Sequence, residues 1–118
     1  MGLRCPGIAA RGLADRLARG DPPLAVLDVR EPHERACCAI RLTPETIDLH
    51  IPMNGVPARL DEVRTASAAR TLVVYCHHGV RSRMVAEWLA AQGVSDVVNL
   101  EGGIDEWSLA VAADVPRY

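Results

Sequence analysis

The stretch Thr71-Leu72-Val73-Val74-Tyr75-Cys76-His77-His78-Gly79-Val80-Arg81 decides the fold. Thr71 to Cys76 is a near-continuous run of apolar, mostly β-branched or aromatic residues, the pattern of a strand buried on both faces. After the segment His77 to Arg81 the period changes. Met84, Val85, Trp88 and Leu89 recur at helical spacing up to a stop at Gly93. A buried strand that passes through five residues into a helix belongs to a parallel sheet covered by helices. A cysteine at the end of such a strand stands where open parallel sheets place their ligand sites.

The rest of the chain repeats the alternation. Leu24 to Val29 is a second short apolar run, bounded by prolines and charge, and Asp28 near its end carries a carboxylate into apolar surroundings. Asp96 to Leu100 reads as a third strand, after which Gly102-Gly103 turns the chain into a last helix containing Ile104 and Trp107. Upstream, Leu13 and Leu17 predict an amphipathic helix over Ile8 to Arg19, stopped by Gly20 and Pro22-Pro23. Pro32 suits the first turn of a short helix over Glu31 to Cys38. Ala39 to Leu49, broken by Pro44, reads mostly as loop, and His50-Ile51-Pro52 as a short strand. Asn54 is placed to cap a helix over Val56 to Ser67, with Pro57 in its first turn and Leu60 and Val63 on one face. The expected fold is α/β: a mostly parallel central sheet with helices on both faces and right-handed crossovers. One domain is expected over residues 1–118, with its core at about 8–112.

Composition removes several chemistries. With 49% apolar and 24% charged residues, the 118-residue chain is neither disordered nor fibrous. All 13 basic residues are arginine, so mechanisms that need a lysine amine, such as a Schiff base or a P-loop lysine, are excluded. A net charge of -2 with the two signs interspersed argues against nucleic acid as a partner. The longest apolar stretches, such as Leu72 to Tyr75, fall far short of the roughly 20 residues of a membrane span, and no membrane partner is expected. Met1-Gly2-Leu3-Arg4-Cys5-Pro6 has neither the apolar region of a signal peptide nor the Ser or Thr at position 6 of a myristoylation signal, which predicts a soluble cytoplasmic protein. There Cys5, Cys37, Cys38 and Cys76 stay thiols. No Cys-x-x-Cys pair is present, and Cys37-Cys38 read as small buried apolar residues on one helical turn.

Cys76 is the candidate nucleophile. A loop that reaches a helix within five residues, with Gly79 available for a left-handed backbone, turns several N–H groups inward and makes a cradle for an anion. The N-terminus of the following helix adds to it, and Arg81, with His77 and His78 when protonated, adds positive charge. Three consecutive residues rarely converge on one tetrahedral ion, so no metal is expected at Cys76, His77 and His78. Asp28 and Glu101, at or just beyond strand ends, read as carboxylates that orient loops by accepting backbone N–H bonds. His33 and His50 read as surface or structural histidines.

Four segments in order, Leu27-Asp28-Val29-Arg30-Glu31-Pro32-His33-Glu34, His50-Ile51-Pro52, Val74 to Ser82 and Leu100 to Trp107, resemble the successive signatures of a single-domain rhodanese. The resemblance covers nearly the whole chain. It implies that Cys76 is the sulfur-accepting nucleophile and that His77, His78, Gly79, Val80 and Arg81 complete a six-residue substrate-binding loop. Asp28, Arg30, Ser82 and Glu101 are then structural support. It implies a two-step transfer through a Cys76 persulfide, from a small anionic donor such as thiosulfate to cyanide, a small thiol or a protein thiol, without a cofactor. Cysteine phosphatases need Cys-x5-Arg, whereas here the sixth residue after Cys76 is Ser82 and Arg81 comes one position early. Two alternatives to a turning-over enzyme stay open: a protein-binding module that uses the same fold without catalysis, and a persulfide carrier for a protein acceptor.

Overall fold

The computed structural model describes residues 5–118; Met1 to Arg4, part of the N-terminal stretch read for targeting, lie outside it. Five strands, β1 (Gly7–Ile8), β2 (Leu24–Asp28), β3 (Ile47–His50), β4 (Thr71–Tyr75) and β5 (Val97–Leu100), alternate with five helices. The helices are α1 (Ala10–Arg19), α2 (Pro32–Cys37), α3 (Leu60–Ser67), α4 (Val80–Ala91) and α5 (Gly103–Ala110). The strands form one sheet in the order β1-β5-β4-β2-β3, and every pairing is parallel. Among the described residues, no helix is long and apolar enough to cross a membrane.

The two longest apolar runs became the adjacent strands β2 and β4, inside the sheet, where both faces are covered. Every residue of β2 and β4 is buried, and they pair in register from Leu24 with Thr71 to Asp28 with Tyr75. Side chains alternate between faces. Ala25, Leu27, Leu72 and Val74 meet Val63 of α3 and Val85, Ala86 and Leu89 of α4 on one side. Leu24, Val26, Val73 and Tyr75 meet Leu13 and Leu17 of α1 and Ile104 and Trp107 of α5 on the other. Each such Leu, Ile or Val contributes about 1.5–3 kcal/mol by leaving water. The carboxyl ends of β2 and β4 thereby become a rigid platform for the loops that follow.

Departures from the sequence reading have local causes. Ile8 pairs with Leu100 at the sheet edge instead of opening α1, which starts at Ala10. The edge strand beside β2 is Ile47–His50 and not His50 to Pro52. Its Ile47 and Leu49 pack on the core while Asp48 faces out. The expected helix from Val56 begins instead as two 3-10 turns, Met53–Gly55 and Pro57–Arg59, and becomes α-helical only at Leu60; Asn54 lies inside the first turn and caps nothing. Cys37 and Cys38 are not buried together. α2 ends at Cys37, which is exposed, and Cys38 continues in extended backbone, half-buried.

Candidate active site

Cys76 directly follows β4 and its side chain is almost completely covered, at 1% exposure. The helix begins sooner than the sequence suggested: Val80 and Arg81 already form the first turn of α4, so the loop and the helix N-terminus are one structure. Gly79 caps that turn with φ 97, a conformation that side chains strain to adopt. A Cβ there would also lie 3.1 Å from the Gly102 nitrogen and 3.3 Å from the Leu100 carbonyl oxygen. With this turn in place, the Gly79 N–H donates to Cys76 Sγ at 3.1 Å and the Ser82 N–H at 3.4 Å. Two amide dipoles therefore point at the sulfur.

The loop carbonyls are held the other way. The N–H groups of Ile104 and Asp105 donate to the carbonyls of Cys76 and His77 at 2.9 and 3.0 Å. Such an approach needs Gly103, where φ is 63 and a Cβ would stand 2.5 Å from the Cys76 carbonyl oxygen. The paired glycines 102 and 103 thus do more than turn the chain into α5. They let its first turn clasp the loop so that carbonyl oxygens face out and amides face the sulfur.

Ser82 and Asn99 tie the loop to β5. The Ser82 hydroxyl lies 2.5 Å from Asn99 Oδ1 and 3.3 Å from Cys76 Sγ; its single proton serves mainly the closer acceptor. Asn99 Nδ2 donates to the Gly79 carbonyl at 3.2 Å and to Glu101 Oε2 at 3.3 Å. Asn99 escaped the sequence reading. The signal was a polar residue inside an otherwise apolar strand, which burial forces to find partners. Glu101 accepts side-chain bonds from Asn99 and Arg83, not the backbone bonds expected of it.

Arg81 is committed elsewhere than expected. Its guanidinium makes a two-pronged pair with Glu34 at 2.7 and 3.0 Å, a partner the sequence reading did not assign, while its charge still acts on Cys76. Glu34 is buried and also bonds the Glu31 N–H that starts α2, at 3.0 Å. The hydrogen bonds from Arg81 lead the causes that hold its carboxyl down at about 2. Tyr118 completes this side: its hydroxyl accepts from Arg30 at 2.8 Å and donates to Glu34 at 3.0 Å. Its ring stacks on His77 with centroids 3.8 Å apart, and His77 in turn stacks on His78 at 3.9 Å. Burial, and then the neighbouring His78, lower the His77 pKa below its ordinary value, so His77 is neutral at pH 7 and supplies no charge. His78 is exposed, with Nδ1 3.9 Å from Asp105.

Asp28 and Arg30 lie one layer below. Both are completely buried, joined by two side-chain bonds of 2.9 and 2.8 Å, and Asp28 also accepts the Arg30 N–H at 3.0 Å, as expected for a loop-orienting carboxylate. Burial opposes the Arg30 charge, but hydrogen bonds to Asp28 and Tyr118 outweigh it and keep the guanidinium firmly protonated. Arg30 also donates to the Cys38 carbonyl at 2.6 Å, and His50 Nε2 bonds the Arg30 carbonyl oxygen at 2.8 Å. His33 is exposed. Burial raises the thiol pKa of Cys5 and Cys38, which keeps both as neutral thiols.

A family model described as a rhodanese-like domain matches residues 10–110. The chain belongs to that family. This rhodanese domain is 36% identical over 101 residues to a sulfurtransferase of Allochromatium vinosum, covering 86% of each chain. It is 33% identical over 92 residues to the thiosulfate sulfurtransferase GlpE of Pseudomonas fluorescens, covering 78% of this chain and 77% of the relative. A rhodanese-like domain protein from Staphylococcus aureus superposes with a TM-score of 0.70 at 32% identity, over 86% of this chain and 90% of the other. The rhodanese fold, with its five parallel strands and helices on both faces, is thus the one the sequence suggested.

Proposed function

We propose that this rhodanese domain is a sulfurtransferase that works through a persulfide on Cys76. The observation that carries the reading is the buried Sγ that receives the Gly79 and Ser82 amides, in a chain whose relatives transfer sulfur. In the first step the Cys76 thiolate attacks the outer sulfur of a donor such as thiosulfate. The S–S bond breaks, sulfite leaves with the electron pair, and one sulfur stays on Sγ. In the second step cyanide, a small thiol or a protein thiol attacks that sulfur and returns Cys76 as thiolate. Amides aimed at one point stabilise thiolate, donor and persulfide anion in turn, without reorganising.

His77, His78, Gly79, Val80 and Arg81 form the rim that substrates meet, while Asp28, Arg30, Ser82 and Glu101 hold the rim in place. The mechanism read here calls for no cofactor. The reading also takes the protein to work in the reducing cytoplasm, where a reactive cysteine and three other thiols stay reduced.

Intact-mass measurement after incubation with thiosulfate tests the reading. The chain gains one sulfur atom, loses it to cyanide, and gains none as Cys76→Ser. A wild-type chain that gains nothing from thiosulfate or inorganic polysulfide refutes it. Full biological activity of Cys76→Ser in a deletion strain would instead identify a binding module.

A further inference from the structure

The segment that follows α5 crosses back to the Cys76 loop. Val115 is buried, and its carbonyl accepts from the Ser108 hydroxyl. The Pro116 carbonyl accepts from the Cys38 thiol at 3.5 Å, and Arg117 makes a two-pronged pair with Asp105 at 2.9 and 3.2 Å. Asp105 is also the residue whose N–H holds the His77 carbonyl. Tyr118 then lays its ring on the His77 imidazole, with planes 8° from parallel. Consecutive residues are thus fastened to α5, to the residue after α2 and to the loop, and together they bring one ring to one place.

The His77 ring is enclosed as a result. Tyr118 covers one face and His78 the other, because at 3.8 and 3.9 Å a single face has room for only one of them. Its Nε2 is buried and has no hydrogen-bond partner among the described residues. Protonation makes both imidazole nitrogens donors, and a buried donor at Nε2 with nothing to bond is costly. The charges that face His77 stand on both sides. Burial disfavours its cation most, followed by His78; Asp105 of α5 and Glu34 of α2 favour it, and Arg81 of α4 opposes it. The Tyr118 phenol, held up at about 12 chiefly by burial, stays uncharged. The same tyrosine reaches a second loop residue, since its hydroxyl and Arg81 Nη2 both donate to Glu34 Oε2 at 3.0 Å. His77 adjoins Cys76 in the chain, and the Arg81 charge acts on Cys76.

We propose that Tyr118 is a positioning residue of the sulfur-transfer site: its ring keeps the His77 imidazole dry and stationary beside Cys76, and so denies an anionic sulfur donor a cation there. The proposal rests on the persulfide reading of Cys76. Capture of the donor then varies little with the charge state of this ring near neutral pH.

The test follows the His77 Hε1 resonance of the full chain by proton NMR from about pH 5 to about pH 8, assigned with His77→Gln. It also measures the KM for thiosulfate, with cyanide as acceptor, at both ends of the range from about pH 6 to about pH 8. In the wild-type chain His77 titrates below its ordinary value of about 6.5 and shows nuclear Overhauser contacts to the Tyr118 ring. Tyr118 is 41% exposed, so Tyr118→Ala opens no core cavity. In that variant water reaches His77, its titration moves up to or above the ordinary value, and the KM at the acid end falls about threefold further relative to the alkaline end than in wild type. That factor is one added charge roughly 6 Å from a dianion, screened at about 0.1 M ionic strength. Tyr118→Phe keeps the ring and returns both readings to those of wild type. A merely structural tyrosine shifts the unfolding midpoint of Tyr118→Ala and leaves the His77 titration and the pH dependence of KM where they were, which overturns the role. So does a wild-type chain without the Overhauser contacts, a result that needs no variant. A chain that gains no sulfur from thiosulfate or inorganic polysulfide overturns the transfer reading and this role with it.

Discussion

The two flanks of the Cys76 loop are built from opposite materials. On one, Arg81, Glu34, Tyr118, Arg30 and Asp28 form a continuous chain of charged hydrogen bonds that runs from the loop rim down to a pair with no exposure at all. On the other, Val80, Met84 and Trp88 offer side chains that bond to nothing and leave a cleft beside them. The difference separates two tasks. Directional bonds with fixed lengths hold a backbone in one conformation, whereas an apolar wall adapts to what it touches and sets only affinity. One flank fixes where the sulfur is. The other is left open, with a cleft beside it.

The comparison breaks most violently at its base. Asp28→Asn leaves the Arg30 charge buried without its counterion and costs about 3–5 kcal/mol, read as a fall in the urea midpoint of unfolding. If the loss stays within about 1 kcal/mol, the polar flank does not hold the fold. A smaller effect follows pH. Glu34 has a carboxyl held at about 2 in the folded chain, against about 4.3 when unfolded, so the unfolded state takes up its proton first as pH falls. Its contribution is complete above about pH 4.5 and drains away toward pH 2. Glu34→Gln should lower stability at pH 7 and flatten that acid limb; parallel acid limbs in both proteins would remove Glu34 from the account. Smallest is Tyr118→Phe, which deletes the hydroxyl between Arg30 and Glu34 while leaving the ring on His77. Because Tyr118 is partly exposed, the cost is about 1 kcal/mol in thermal or urea unfolding. A loss several times larger would show that the hydroxyl, and not the Arg81–Glu34 pair, is the keystone of this flank.

What could be read from the chain alone was what is local. β2, β4 and β5 announced themselves as apolar runs, and Cys76 by its place at a strand end followed by a glycine-containing turn. β3 was nearly legible, since Ile47-Asp48-Leu49-His50 alternates apolar and polar residues, but four residues close behind Pro44 make a faint pattern. β1, with two residues, has no pattern of its own and exists only through its pairing with β5. The clamp on the loop was hidden for a different reason. Glu34 lies 47 residues from Arg81 and 84 from Tyr118, and nothing in the spacing along α2 distinguishes a carboxylate that faces solvent from one that meets such partners. The Glu34 partner of Arg81 was hidden for the same reason, since the spacing along the chain shows a charge near the loop and not what else it meets.

The clasp between α5 and the loop carries a consequence for motion. The amides of Ile104 and Asp105 end on the carbonyls of Cys76 and His77, so neither segment can open while the other stays closed. Cys76, His77 and the first turn of α5 are therefore expected to form one cooperative unit of local unfolding, read as amide hydrogens that exchange with solvent together.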